Sequence, residues 1–370
     1  MIPLFKVFMS PDVLEPLRRL LMSGYIGQGE KVEVFETLLA ARFGTPFVST
    51  VNSCTAALHL AVRLMTESPN DEVLTTPLTC FATTAAILAN GVRLRWVDID
   101  PTSCNLDLDD LERKLSPRTK AVVVVHWGGY PVDLDHLSGL LDEHYEKCGH
   151  RPAVIEDCAH AWGSVYKERL IGTHGNLCAF SFQAIKTLTT GDGGCLITPD
   201  ADQWARAKLL RWFGIDRTKP SFDARCDVDI PEWGYKFHMN DINATIGIHN
   251  LQHADSLLKV SRDNAAYYDR ELVDVTGLTL MERKPDRSSS YWLYTVRVQH
   301  RDHFVARMRE AGVMASRVHE RNDRHPCVRQ FAVRLPNLDR IAAEMVCIPV
   351  GWWVKEEERA HIVQSIRKGW

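Results

Sequence analysis

The sequence predicts an α/β protein: a large three-layer α/β/α domain with a mostly parallel central sheet, then a smaller C-terminal α+β domain. Three observations carry this. Short apolar runs alternate with helical segments over the first two-thirds of the chain, the mark of a parallel sheet buried on both faces. The alternation stops after about Gly234, and a long helical pattern opens at Asp241. At 370 residues the chain also exceeds what one ordinary core organises.

The elements follow in order. Strands are expected over 47–51, 72–76, 93–97, 121–126, 153–157, 177–182 and 194–198, each a short run rich in apolar residues. Helices are expected over 53–65, over 83–90 (stopped by Gly91) and over 108–115, the last opened by Asp107, Asp109 and Asp110. The segment 241–258 reads as a long helix continuing through Tyr268. A strand over 292–298, a helix over 302–311, a polar segment over 317–329 and a final helix over 355–368 complete the chain. The division is placed near residue 250, giving domains 1–250 and 251–370.

Composition narrows the function. Hydrophobic content of 45% and charged content of 25% are ordinary for a globular protein. A net charge of −3 gives no basic stripe, so no nucleic-acid partner is expected, nor a membrane surface. The start, Met1-Ile2-Pro3-Leu4-Phe5-Lys6, lacks a signal-peptide pattern, and the run 121–125 is too short to span a bilayer. A cytoplasmic protein is expected. Cys54, Cys80, Cys104, Cys148, Cys158, Cys178, Cys195, Cys226, Cys327 and Cys347 show no C-x-x-C spacing. Reduced, mostly buried thiols follow, with neither a disulfide framework nor a metal site.

The chemistry centres on Lys186. A lone lysine is ordinarily solvated. This one follows the apolar strand ending in Phe180-Ser181-Phe182 and precedes the turn Thr189-Thr190-Gly191-Asp192-Gly193-Gly194. Between two buried strands, desolvation lowers an amine's pKa and readies it for a Schiff base. Asp157 closes the strand 153–157. It reads as a helix cap or as the carboxylate that keeps a pyridine nitrogen protonated. His160 would lie on the same side. The turn Asn52-Ser53-Cys54-Thr55 joins a strand to a helix, where free backbone N–H groups and the helix dipole favour an anion, though N-capping by Ser53 uses the same geometry. Phe81 is a core residue or an aromatic platform.

In this order, these residues resemble the DegT/StrS family of sugar aminotransferases, which depend on pyridoxal 5'-phosphate (PLP) and have the fold-type I architecture. The likeness runs from Ser23-Gly24-Tyr25-Ile26-Gly27-Gln28-Gly29 through Val97-Asp98-Ile99-Asp100-Pro101, Glu156-Asp157 and Gly191-Asp192-Gly193-Gly194 to Gly234-Tyr235-Lys236-Phe237-His238-Met239-Asn240-Asp241, Val318-His319 and Cys347-Ile348-Pro349-Val350. The resemblance implies that Lys186 bonds the cofactor and shuttles a proton, that Asp157 pairs with the ring nitrogen, and that His160 stands near the ring oxygen. Phe81 would stack on the ring. Ser53, Cys54, Thr55 and Ser181 would hold the phosphate, with Lys236 reaching it across a homodimer whose active sites are shared. Tyr25, Arg317 and His319 are candidates for contacting the acceptor. The implied reaction moves an amino group from L-glutamate to a keto-sugar, expected to be a nucleotide-linked 3- or 4-keto-deoxysugar, in amino-sugar or surface-polysaccharide biosynthesis.

The chain departs from the family pattern at three places. Cys54 stands where Gly is usual, Lys236 and His238 where Asn and Arg are usual, and Asp192 where Glu is usual. A lysine can meet a phosphate as a point charge, while loss of the Arg affects how an anionic substrate group is held. Alternatives are a cyclitol ketone as acceptor, a non-catalytic PLP-binding regulatory protein of the same fold, and a Cys–His hydrolase built on Cys158 and His160. The family's dehydratase branch carries His in place of the lysine, and Lys186 argues against it.

Overall fold

The computed structural model describes residues 1–217 and 229–370; Cys226 lies outside the described residues. Helices α1 (Leu14–Ser23) and α2 (Glu30–Phe43) lead into β1 (Val48–Val51). Then come α3 (Cys54–Met65), β2 (Glu72–Thr75), α4 (Phe81–Ala89), β3 (Arg93–Trp96), α5 (Leu108–Lys114), β4 (Thr119–Val125), α6 (Leu134–Cys148) and β5 (Ala153–Asp157). A hairpin of β6 (Val165–Tyr166) and β7 (Arg169–Leu170) precedes β8 (Leu177–Ser181), β9 (Gly194–Ile197) and α7 (Ala201–Leu210). The C-terminal part holds α8 (Asp241–Glu271), β10 (Leu278–Leu280), β11 (Arg287–Ser288), β12 (Tyr294–Val298), α9 (Arg301–Glu310), α10 (Pro336–Glu344), β13 (Met345–Ile348) and α11 (Glu356–Arg367).

The large sheet has the order β1-β9-β8-β5-β4-β2-β3. Its pairs are parallel except those of β9, which runs against both neighbours. Side chains divide strictly by parity, as a pleated strand requires. Val73, Ala121, Val123 and Ile155 enter one hydrophobic cluster, whereas Leu74, Val122, Val124 and Val154 enter another on the opposite face. That two-sided burial explains the unbroken valine run of β4.

A small antiparallel sheet, β10-β12-β13, organises the C-terminal part. Its outer cluster gathers Tyr294, Val296, Ile348 and Ile362, and also Ile2 from the chain's first residues. Residue 250 lies within α8, which runs unbroken over 31 residues. Ala244 and Ala254 pack under the large sheet, and Ala265 and Tyr268 pack on the small one.

Several elements differ from expectation. The helix expected to start at Thr83 starts at Phe81, and the strand expected from Trp292 starts at Tyr294 because Trp292 turns into the site. The polar segment contains two short 3-10 turns, Asn322–Arg324 and Pro326–Phe331. Helices α1, α2, α6, α7 and α10 and strands β10 and β13 go beyond the elements expected. Among the described residues no helix is long and apolar enough to cross a membrane.

Candidate active site

The parallel strands β5 and β8 are neighbours, with Asp157 paired to Ala179, so Ser181 lies two residues beyond Asp157 at the same end of the sheet. Ligands gather at such C-terminal strand ends. Lys186 lies on the connection from β8 to β9, in a turn closed by its N–H donating to Gln183 O at 2.9 Å. Its Nζ sits 3.3 Å from the centre of the Trp292 ring. Burial pulls its pKa down to about 8, against the opposing pull of Cys54, Asp157 and Cys80. Its neutral fraction near neutrality is therefore far larger than an ordinary lysine's, though still the minority form.

Asp157 is 4% exposed. Its Oδ2 accepts from Thr83 Oγ1 at 2.7 Å and its Oδ1 from the Ala159 N–H at 3.1 Å. Burial raises its pKa, while Thr83, Ala159, Lys186 and His126 act to lower it. Nearby, the His126 ring bonds Glu156 at 2.8 Å and accepts the Val132 N–H at 3.1 Å. With Cys158, these residues bring three donor atoms within 4.8 Å of one another. Both ring nitrogens are already engaged, so the group serves as a hydrogen-bonded brace.

His160 stacks on Trp292, centroids 3.9 Å apart at 19°. Its Nδ1 accepts the Gly128 N–H at 3.3 Å, which places the ring proton on Nε2. Burial and then Lys186 hold its pKa well below the usual range, so the ring is neutral. The reading of Cys158 and His160 as a hydrolase pair fails here. Burial and then Cys178 keep the thiol protonated, and it points at Glu156 O.

At the start of α3 the Ser53 Oγ caps the Ala56 N–H at 3.1 Å. The first N–H groups of a helix lack intrahelical partners, so those of Cys54 and Thr55 are free to meet an anion. Cys54 turns its thiol onto Ala179 O at 3.5 Å, away from such a ligand. Gly194 is obligatory beside it: a Cβ there would sit 2.7 Å from Cys54 N and 2.6 Å from Phe180 O. Ser181 accepts from the Gln183 N–H at 3.3 Å and keeps its own hydrogen to donate.

The other candidates divide. His319 joins the cluster: its ring is parallel to His160 at 5.7 Å and edge-on to Trp127 at 6.0 Å. Its Nε2 is buried without a partner among the described residues, and burial and then Lys186 bring its pKa down to about 4. A γ-turn holds it, His319 N–H to Arg317 O at 2.8 Å, with Val318 at φ 68°. That is a strained conformation for a β-branched residue, of the kind found at functional sites. Arg317 is instead paired with Glu320 at 2.7 Å. Phe81 opens α4 and meets His325 edge-on at 5.1 Å. Tyr25 is 85% exposed and lines an open groove with Arg19, Gln28 and Lys31. Lys236 is exposed, its carbonyl accepting from Asn52 Nδ2 at 3.4 Å beside the turn that opens α3.

Trp292, Thr83 and Trp127 are the site residues that sequence reasoning missed. Trp292 fixes its ring by donating from Nε1 to Ile185 O at 3.0 Å and stacks on Phe5 at 5.0 Å. No local pattern marks a tryptophan so distant in sequence as a wall of the lysine's pocket.

A family model described as the DegT/DnrJ/EryC1/StrS aminotransferase family matches residues 9–367. The chain belongs to this family. The solved structure of AtS13 from Actinomadura melliaura is 52% identical, with TM-score 0.97 over 100% of this chain and 99% of its own. That of the sugar aminotransferase CalS13 from Micromonospora echinospora is 48% identical, with TM-score 0.97 over 100% of both chains. The dTDP-4-dehydro-2,3,6-trideoxy-D-glucose 4-aminotransferase of Saccharopolyspora spinosa is 30% identical over 100% of this chain and 96% of its own. As a DegT/StrS aminotransferase of fold-type I, the protein uses PLP. The residues fit that cofactor: a low-pKa lysine, a buried strand-end carboxylate and unsatisfied N–H groups at a helix start each match one of its functional groups.

Proposed function

We propose that this enzyme transfers the amino group of L-glutamate to a nucleotide-linked keto-deoxysugar, acting in the cytoplasm as a homodimer with shared active sites. The observation that carries the reading is the Lys186 amine, brought down to about 8 and facing the buried Asp157. Bound there, PLP would supply an electron sink when a proton leaves the amine-bearing carbon. Lys186 is the group to take that proton and return it, and its pKa suits exchange near neutrality. Asp157 would keep a proton on the ring nitrogen. Neutral His160 would offer its Nε2–H to the ring oxygen, and Ser181, Thr55 and the start of α3 would hold the phosphate. The buried Nε2 of His319, without a partner among the described residues, supports a contact with the sugar.

The acceptor class is supported by relatives whose names carry nucleotide-linked sugars, the dTDP-sugar 4-aminotransferase above and the GDP-perosamine synthase of Escherichia coli O157:H7. The dimer is supported by α1, which buries no residue and leaves Leu14, Leu21 and Met22 uncovered beside Tyr25 and Ile26. Tyr25 and Lys236, both exposed on their own chain, would then serve the partner's site. Nine free cysteines among the described residues support a reducing compartment.

The test is the visible spectrum of the purified protein with PLP, before and after L-glutamate, beside Lys186→Ala. We expect glutamate to shift the wild-type band, and the variant to lack the lysine-bound band. A wild type that binds PLP yet ignores glutamate would remove the donor assignment.

A further inference from the structure

Asp157 owes its state to a donor chain. A hydroxyl carries one hydrogen. Thr83 gives its own to Asp157 Oδ2, so the 2.9 Å contact between Thr79 Oγ1 and Thr83 Oγ1 must run from Thr79 to Thr83. The order is therefore Thr79 to Thr83 to Asp157, and each donor polarises the next. Both threonines are 1% exposed, which shuts out water as a substitute. The loop before α4 and its first turn, which carry them, are clamped by Asn322, whose Nδ2 donates to Thr84 Oγ1 at 2.8 Å and whose N–H donates to Pro77 O at 2.9 Å.

We propose that Thr83, with Thr79 behind it, is a positioning residue that keeps Asp157 an oriented anion, the state in which a carboxylate holds a proton on a pyridine nitrogen. The inference rests on the PLP reading of the site. The other titratable groups facing Asp157 are Lys186 from the β8–β9 connection, His126 from the end of β4, Cys54 at the start of α3 and Cys158 next in the chain. Among the influences that favour the anion against burial, the Thr83 bond is the largest.

The experiment compares wild type with Thr83→Val, Thr83→Ser and Thr79→Val. It reads the PLP affinity of the apo protein from visible absorbance, the acid limb of the glutamate-driven absorbance change, and the melting temperature. Losing a hydrogen bond to a buried charge should weaken PLP binding of Thr83→Val about tenfold or more. Its acid limb should move to higher pH, because the carboxyl then holds its proton to a higher pH. Thr83→Ser should behave as wild type, and Thr79→Val should move the same way by less. A Thr83→Val protein with a lower melting temperature but unchanged limb and affinity would overturn the proposal. Should that variant fail to fold, an unmoved limb in Thr79→Val, which keeps the direct bond to Asp157, overturns the relay. A wild type that never takes up PLP would overturn the cofactor reading beneath, a result none of the threonine variants can mimic.

Discussion

Lys186 faces two opposed influences. Removal from water favours the neutral amine, while Cys54, Asp157 and Cys80 favour the ammonium. Desolvation wins, and the pKa settles at about 8. Only the neutral amine attacks the cofactor aldehyde. Protonated Lys186 should therefore dominate below pH 8, and capture of PLP by the apo protein should speed up as pH rises through that value, then level off. Stopped-flow absorbance from pH 6.5 to 9.5 checks this; a rate still climbing steadily toward 10 would show an ordinary lysine. At this scale the sequence was legible where chemistry sits on a strand end, as Asp157 and Ser181 do, or between two strands, as Lys186 does. It was silent on Trp292 and Thr83, because the contacts |i−j|=107 from Ile185 and |i−j|=74 from Asp157 are set by packing and not by spacing.

Elements carry their own strain. The hairpin β6–β7 pairs Tyr166 with Arg169, leaving a two-residue loop of Lys167 at φ 45° and Glu168 at φ 64°. Such a loop asks for left-handed backbone at both positions, the reason Asn-Gly is favoured there. Glu168→Gly should raise stability by about 0.5–1 kcal/mol, the left-handed strain relieved less the added entropy of an unfolded glycine. A melting temperature at or below wild type would refute this, and Glu168→Ala, which keeps a Cβ, should bring no gain. The same scale explains the helices that went unpredicted. α2 has no cap of its own: Gly29 occupies the N-cap, and Asp241 accepts from the N–H groups of Gly29 at 2.8 Å and Val32 at 3.1 Å. A start signal supplied from |i−j|=212 away cannot be read locally.

Across the whole molecule, such long-range caps join the two parts of the chain. Helix α10 likewise lacks its own cap, and Asp98, two residues past β3, accepts from Asn337 N–H and Leu338 N–H, each at 2.9 Å. One hydrophobic cluster holds Val123, Ile155 and Leu177 from the large sheet together with Met345 and Cys347 from the small one. Helix α8 belongs to both parts, and Ile2 at the start of the chain is seated in the C-terminal cluster. Neither sheet can lose its packing without uncovering the other. Chains of this size often unfold in steps, yet these shared cores predict that the apo protein loses secondary and tertiary structure together. Far-ultraviolet circular dichroism and tryptophan fluorescence should give coincident urea curves. Asp98→Ala, which strips a buried cap from two N–H groups, should lower the midpoint by the equivalent of about 2 kcal/mol while keeping the curves superimposed. Separate transitions in the wild type would mean that the two parts fold independently, and that the contacts through Asp98 and α8 are too weak to couple them.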